Sequence, residues 1–243
     1  MEEKRGILEA NSLWYKYKTR VWLQKTSQKA VVHNVMRVLR SMRNLSHLAY
    51  VSTPITTSRY LYELKLTHPL MKKNAQIKRA IDHNYYLGWS FVGELKKRRD
   101  CPILYPADLI PVDQQWEQAH FQALWLSIIA EKCTELHMAE EWEYSNGSFE
   151  EFTHTMQLKL GLPKHRNLVF FNTKEEEETE RERMRNIQIY DHQGTPISLN
   201  DGIRAIESAL SWLRNHGFDP ERLENCLHLL RWTGNMISRG FYQ

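Results

Sequence analysis

Four short apolar runs in the middle of the chain predict β-strands, and three longer amphipathic stretches between them predict helices. The strand-like runs cover residues 47–55, 101–110, 134–142 and 166–171. Apolar residues recur at helical spacing over residues 69–98, 114–133 and 148–161. We expect the first of these helices to be interrupted near Gly88 and Gly93, and the third to end at Gly161.

This alternation of strand and helix predicts an α/β fold. We expect an open, mainly parallel sheet of four or five strands, flanked by helices on both faces as in flavodoxin-like and Rossmann-like proteins. Ligands of such sheets bind outside the carboxyl ends of the strands. The loops after Val51, Tyr105 and Met138 should therefore meet at one edge of the sheet, and a functional site is predicted there.

Changes of composition divide the chain into three parts. These are a basic helical extension, an α/β domain, and a charged linker with a helical appendage, over residues 1–46, 47–172 and 173–243. The charge run at 172–186 predicts a solvated helix or an exposed linker. A short strand, a turn and a helix start are predicted near 187–202. Two amphipathic helices are expected beyond it, the first ended by Gly217 and the second begun by Asp219 and Pro220.

Charge and composition narrow the class of protein. The net charge is +4, and basic residues interleaved with aromatics are concentrated in residues 1–46. That segment is either a surface for nucleic acid or another acidic partner, or an amphipathic helix with a solvated basic face. No apolar run approaches the roughly 20 residues that span a membrane. The three cysteines are scattered and no histidine pair has metal-ligand spacing, so we expect a reduced, cytoplasmic protein with no membrane segment, no metal and no cofactor.

The stretch EEWEYSNGSFEEF, residues 140–152, carries the strongest candidate chemistry. Backbone amides at a helix N-terminus, together with the Ser145 and Ser148 hydroxyls, can hold an anion or sugar hydroxyls, and Gly147 lets the backbone approach a ligand closely. A glutamate in this turn can attack an electrophilic sugar carbon, as in retaining glycosidases. It can equally be a helix N-terminal charge behind an ordinary serine N-cap.

Within this stretch a W-x-x-S-x-G-x-x-x-E pattern is formed by Trp142, Ser145, Gly147 and Glu151. The chain also carries YVSTP (residues 50–54) at the end of the first predicted strand and a Tyr-Pro pair (residues 105–106) at the end of the second. In this order the motifs resemble those of the nucleoside 2-deoxyribosyltransferase-like superfamily, which includes the 2′-deoxynucleoside 5′-phosphate N-hydrolases. The resemblance covers roughly residues 47–172. It implies N-glycosidic bond hydrolysis or transfer on a nucleoside or nucleoside 5′-monophosphate.

The resemblance also implies roles for individual residues. Glu151 would be the nucleophile that displaces the base from C1′, with Glu150 as its competitor, and water or a second base would then resolve the glycosyl-enzyme. Asp108 or Asp113 would protonate the leaving base. The implied substrate contacts are Ser52, Thr53, Pro54 and Thr56 at the sugar or phosphate, Tyr105, Trp116 and Trp142 at the base, and Ser145, Asn146, Gly147 and Ser148 at hydroxyl or phosphate oxygens.

Three features depart from the pattern of that superfamily. Thr134 stands where an aspartate is usual, Glu141 stands where a glycine is common, and residues 57–70 form a Tyr-rich insertion that is expected to be a loop. The threonine and the insertion favour an alternative, a non-catalytic nucleotide-binding or sensing protein. A further alternative is an NAD glycohydrolase, which needs a larger pocket. Because members of the superfamily are often oligomers, the flanking helices are candidates for a homo-oligomer interface.

Overall fold

The computed structural model describes residues 35–39, 41, 47–109, 118–161 and 174–238. At its centre is a sheet of four parallel strands, β1 (Leu48–Ser52), β2 (Ile103–Leu104), β3 (Cys133–Met138) and β4 (Gln188–Tyr190). The strand order is β2-β1-β3-β4, so β1 and β3 form the central pair. The predicted α/β fold with an open parallel sheet is confirmed.

Helices surround this sheet. They are α1 (Arg59–Thr67), α2 (Lys73–Arg98), α3 (Gln118–Lys132), α4 (Asn146–Lys159), α5 (Lys174–Arg185), α6 (Leu199–Asn215) and α7 (Glu221–Ser238). Short 3-10 turns lie at Pro106–Leu109 and Trp142–Tyr144. Residues 35–39 and 41 are also helical, and Met36 packs in the main core. None of the described helices is long and apolar enough to cross a membrane.

Successive side chains of β1 point to opposite faces of the sheet, as the pleat of a strand requires. Leu48 and Tyr50 belong to the main core, which also contains residues of α3, α4, α6 and α7. Val51 instead belongs to a smaller cluster with Val92 of α2 and Tyr105. Helices α2 and α4 therefore cover opposite faces of the sheet.

The segment after β1 differs from its prediction. Residues 59–67 form helix α1, so the expectation that residues 57–70 are a loop was wrong. The Ser58 hydroxyl caps this helix by accepting a hydrogen bond from the Leu61 N–H at 3.3 Å. Leu61 and Leu64 then pack against Ala80 of α2. Two buried leucines are enough to anchor so short a helix, but they are too few to give a clear periodic pattern.

Helix α2 runs without a break for 26 residues, so the predicted interruptions near Gly88 and Gly93 do not occur. Gly88 is buried against Tyr105, and a Cβ placed there would lie 2.2 Å from the Tyr105 Oη. Glycine at this position therefore permits close packing of the helix on the ring and does not end the helix.

The C-terminal residues share the core of the α/β unit. Strand β4 pairs with β3, and Ile189, Ile206 and Leu230 pack in the same cluster as β1. The short strand and two helices expected in this region are all present. Residues 1–34 and the strand expected at 166–171 lie outside the described residues.

Candidate functional site

The carboxylate of Glu151 lies where the carboxyl end of β1 meets the N-terminal half of α4. The Tyr50 hydroxyl donates a hydrogen bond to its Oε1 at 2.5 Å, and the Ser52 hydroxyl donates one to its Oε2 at 2.5 Å. Tyr50 and Ser52 are fully buried, whereas 8% of the Glu151 surface is exposed. Because residues 50 and 52 share one face of the strand, the pleat of β1 brings both donors to the same carboxylate.

The start of α4 fixes the position of this glutamate. Ser145 is the N-cap, and its Oγ accepts a hydrogen bond from the Ser148 N–H at 3.3 Å. The N–H of Asn146 donates to the Thr57 Oγ1 at 3.2 Å, which joins the helix start to the loop after β1. Glu151 follows one turn later, on the side of the helix that faces the sheet.

Burial raises the pKa of Glu151 from 4.5 to about 7, and the hydrogen bonds from Ser52 and Tyr50 oppose that rise. The nearby Glu150 carboxyl raises it further. Burial first, and then the charge of Glu151, raise the pKa of Tyr50 well above 10, so Tyr50 remains a donor. The carboxyl of Glu151 is thus divided between its charged and neutral forms near neutral pH.

The competing glutamate has a different environment. Arg222 of α7 donates to the Glu150 Oε1 from its Nε at 2.7 Å and from its Nη2. Burial raises the pKa of Glu150, and the Arg222 guanidinium opposes that rise. Glu150 therefore ties α4 to α7 through an ion pair, and its carboxylate is committed to that contact.

Two polar atoms beside the start of α4 are buried without a hydrogen-bond partner among the described residues. They are the Asn146 Oδ1 and the Ser148 Oγ, and Ser148 is only 1% exposed. Adding a Cβ to Gly147, between them, would bring nothing closer than the Ser145 Oγ at 3.9 Å. Buried polar atoms usually have a partner, so these two oxygens have unused hydrogen-bonding capacity.

A cavity of about 560 Å³ opens on the α2 face of the sheet. Its lining includes α2 and the loops after β1, β3 and β4, with Thr53, Pro54, His137, Ala139, Glu141 and Asp191 among the residues. Glu151 is not among the described residues that line it. The two regions are adjacent in sequence, because Ser52 binds Glu151 and the next residue, Thr53, lines the cavity.

The structure brings together most of the residues predicted around the turn. The Ser52 hydroxyl binds Glu151, whereas Ser145, Asn146, Gly147 and Ser148 form the start of α4. Thr53 and Pro54 line the cavity, and Thr56 is half-buried in the same loop. Trp116 and Asp113 lie outside the described residues.

Three predicted site residues are not among the described residues that line the cavity. Trp142 is a core residue, 6% exposed, whose ring packs on Phe152 at a centroid distance of 4.7 Å. Tyr105 is likewise buried, with its hydroxyl against α2, so neither ring is free to stack on a base. Asp108 is exposed and accepts a hydrogen bond from the Tyr85 hydroxyl at 3.0 Å, away from the cavity lining.

Tyr50 binds the Glu151 carboxylate, although the sequence predicts no role for its hydroxyl. The available signal was the period-two spacing of residues 50 and 52, which places two hydroxyls on one face of the strand.

Comparisons of the whole chain with family models, curated proteins and solved structures give no match.

Proposed function

We propose that the protein cleaves or transfers the N-glycosidic bond of a nucleoside or nucleotide, with Glu151 as the nucleophile. The observation that carries the proposal is the Glu151 carboxylate, held at both oxygens by neutral hydroxyls at the carboxyl edge of a parallel sheet. Neutral donors orient the carboxylate without a positive charge that would suppress its attack. A pKa of about 7 leaves much of it ionised at neutral pH.

The reaction would proceed in two displacements. A carboxylate oxygen of Glu151 attacks C1′, the C1′–N bond breaks, and the base departs with the bonding electrons and takes up a proton. Water or a second base then attacks C1′, loses a proton, and releases Glu151 as a carboxylate. The Tyr50 and Ser52 hydroxyls hold the carboxylate in each step.

The unpartnered oxygens of Asn146 and Ser148 are suited to hydrogen bonds with sugar hydroxyls beside the carboxylate. The cavity on the other face provides space for the base or a second nucleotide, since about 560 Å³ lies in the range of small-molecule sites. Ser52 and Thr53 are consecutive, so one bound molecule can contact both regions.

The test is release of free base, measured by chromatography, from ribo- and deoxyribonucleosides, their 5′-monophosphates and NAD. Glu151→Gln removes the nucleophile and retains the shape of the side chain, and Glu150→Gln is the matched control on the same helix. We expect wild type and the control to release base and Glu151→Gln to be inactive. Equal base release by all three proteins would contradict the proposal. Loss of base release only in Glu150→Gln would assign the role of nucleophile to Glu150.

A second function is favoured by one observation, the absence of Glu151 from the described cavity lining. Under this alternative the protein binds a nucleotide without turnover, as a sensor would. Its signature is a rise in melting temperature with one compound of the same panel, in wild type and Glu151→Gln alike, with no base released by either protein.

A further inference from the structure

We propose that Glu141 is the general acid that protonates the departing base. This inference rests on the proposed function and replaces the predicted role of Asp108, whose carboxylate is exposed and bound to Tyr85 outside the cavity lining. Glu141 lines the cavity and lies on the segment that connects β3 to α4. That segment begins at Ala139, which is bound to Ser52, and ends at the helix that carries Glu151.

The backbone at Glu141 is the first observation. Its φ is 61°, and it is the one residue other than glycine with a positive φ among the described residues. Side chains with a Cβ are strained in this left-handed region, whereas glycine is not. Although Glu141 precedes the turn at Trp142–Tyr144, its side chain makes no capping hydrogen bond. The local backbone therefore gives no reason for a glutamate here, and strained residues cluster at functional sites.

The surroundings of the carboxyl group are the second observation. Glu141 is half-buried, and its Oε1 lies 3.9 Å from the Arg59 Nη1, a long contact, because the Arg59 Nε binds Glu63 at 2.9 Å. Burial raises the pKa of Glu141, and Arg59 opposes that rise. A loosely paired carboxyl group facing a cavity can exchange its proton with a ligand.

Other acids that line the cavity are committed elsewhere or more exposed. Glu63 is paired with Arg59, and Glu94 is bound to Lys97 at 2.6 Å. Asp191 accepts the N–H of Gln193 within its own turn, at 2.9 Å.

Glu140 and His137, which also line the cavity, fit the role less well. Glu140 is exposed and has an unstrained backbone. His137 is held by Glu135 at 2.7 Å and stacked on Tyr190. Glu141 is thus the half-buried carboxyl group that remains.

In the first displacement the Glu141 proton moves to the base nitrogen as the C1′–N bond breaks, which leaves Glu141 as a carboxylate. In the second displacement that carboxylate accepts the proton of the attacking water, while the C1′–O bond to Glu151 breaks and returns its electrons to Glu151. The two steps together convert nucleoside and water into free sugar and free base, and both carboxyl groups recover their starting states.

The test compares two leaving groups on one sugar. The first substrate is the nucleoside or nucleotide that wild type cleaves fastest in the panel, and the second is the p-nitrophenyl glycoside of the same sugar, whose leaving group departs without a proton. We expect Glu141→Gln to lower kcat on the first substrate by about 100-fold, at the lower end of general acid catalysis. On the nitrophenyl glycoside we expect a change of less than about threefold, since no proton is required.

Two further variants separate catalysis from structure. Glu141→Gly relieves the backbone strain, so its melting temperature should equal or exceed that of wild type while the loss on the natural substrate persists. Glu143→Gln is the matched control, a half-buried acid of the same turn that does not line the cavity, and neither substrate should respond to it.

Equal losses on both substrates, no loss on the first, or the selective loss in Glu140→Gln would each overturn the assignment of Glu141. Wild-type protein that cleaves neither substrate would instead overturn the proposed function, and the assignment with it.

Discussion

The two faces of the sheet hold carboxylates in opposite ways. On the α2 face, Glu135 lies beside a cation, since its Oε2 is 2.9 Å from the Arg99 Nε, and it also contacts the His137 Nε2 at 2.7 Å. On the α4 face, Glu151 is held by two hydroxyls. Within the described part of the chain, no lysine, arginine or histidine forms an ion pair with Glu151. The charge of Glu135 is balanced by the Arg99 guanidinium, whereas Glu151 is only oriented by hydrogen bonds.

This difference distinguishes a structural acid from a candidate catalytic one. A carboxylate that only connects elements is best buried beside a cation, because an unpaired buried charge is costly. Glu150 repeats that arrangement on α4 itself, through its ion pair with Arg222. Glu151, one residue further on, has a pKa of about 7 instead, in the range where a side chain can serve in catalysis at neutral pH.

The largest expected effect is the pH dependence of stability conferred by Glu151. Its folded-state pKa of about 7 lies above the ordinary value of 4.5, so the folded protein binds this proton more tightly than the unfolded chain does. The stability contributed by the proton is complete below pH 4.5 and is lost as the pH rises through 7. Relative to Glu151→Gln, wild type should lose about 3 kcal/mol of unfolding free energy over that window, measured by urea titration at several pH values. A difference in unfolding free energy that does not change with pH would contradict the raised pKa of Glu151.

Glu135→Gln should lower the unfolding free energy of the protein. The substitution removes the negative charge beside Arg99 and the charged partner of His137 in a partly buried site, and we expect a loss of about 2 kcal/mol of unfolding free energy at pH 8. Urea denaturation at that pH gives the value. An unchanged unfolding free energy in Glu135→Gln at pH 8 would contradict a stabilising role for the contact between Glu135 and Arg99.

Much of the fold and the location of Glu151 could be predicted from the sequence. Apolar runs of strand length alternating with amphipathic stretches fix the α/β class, because a parallel sheet needs a helix between strands. Ser145 and Gly147 mark a helix start after a strand, and the sequence predicts Glu151 in the first turn of that helix. The helix begins at Asn146, so Glu151 lies in its second turn. These features are local, so they can be recognised in the sequence without knowledge of tertiary contacts.

The partners of the site could not be predicted in the same way. The contact between Tyr50 and Glu151 joins residues 101 positions apart, and it depends on how α4 is set against β1. Trp142 was expected at the base, and its ring instead packs on Phe152, a contact that the sequence does not reveal. The positive φ of Glu141 has no signal in the residue itself, since the sequence there would suit ordinary backbone.

Tyr50→Phe tests whether the hydrogen bond from Tyr50 lowers the pKa of Glu151. The substitution removes the donor to Oε1 and retains the packing of the ring in the core. Loss of a hydrogen bond to a charged group costs about 1 to 3 kcal/mol, and the cost should be greatest above pH 7, where the carboxylate is ionised. The pKa of Glu151 should rise, because a bond that stabilises its charged form is gone. The pH profile of base release should therefore move to higher pH, and an unchanged profile would contradict the assigned role of Tyr50.

The smallest expected effect is that of Glu150→Gln, and it has the opposite direction. The Glu150 carboxyl raises the pKa of Glu151, so its neutralisation should lower that pKa and move the pH profile of base release slightly to lower pH. Loss of the ion pair with Arg222, which is 35% exposed, should cost about 1 kcal/mol of unfolding free energy. Turnover at pH 8 should stay within about threefold of wild type, because the substitution leaves the nucleophile ionised and in place. A profile that moves in the same direction as that of Tyr50→Phe would show that the two substitutions act through a change of packing and not through the charge on Glu151.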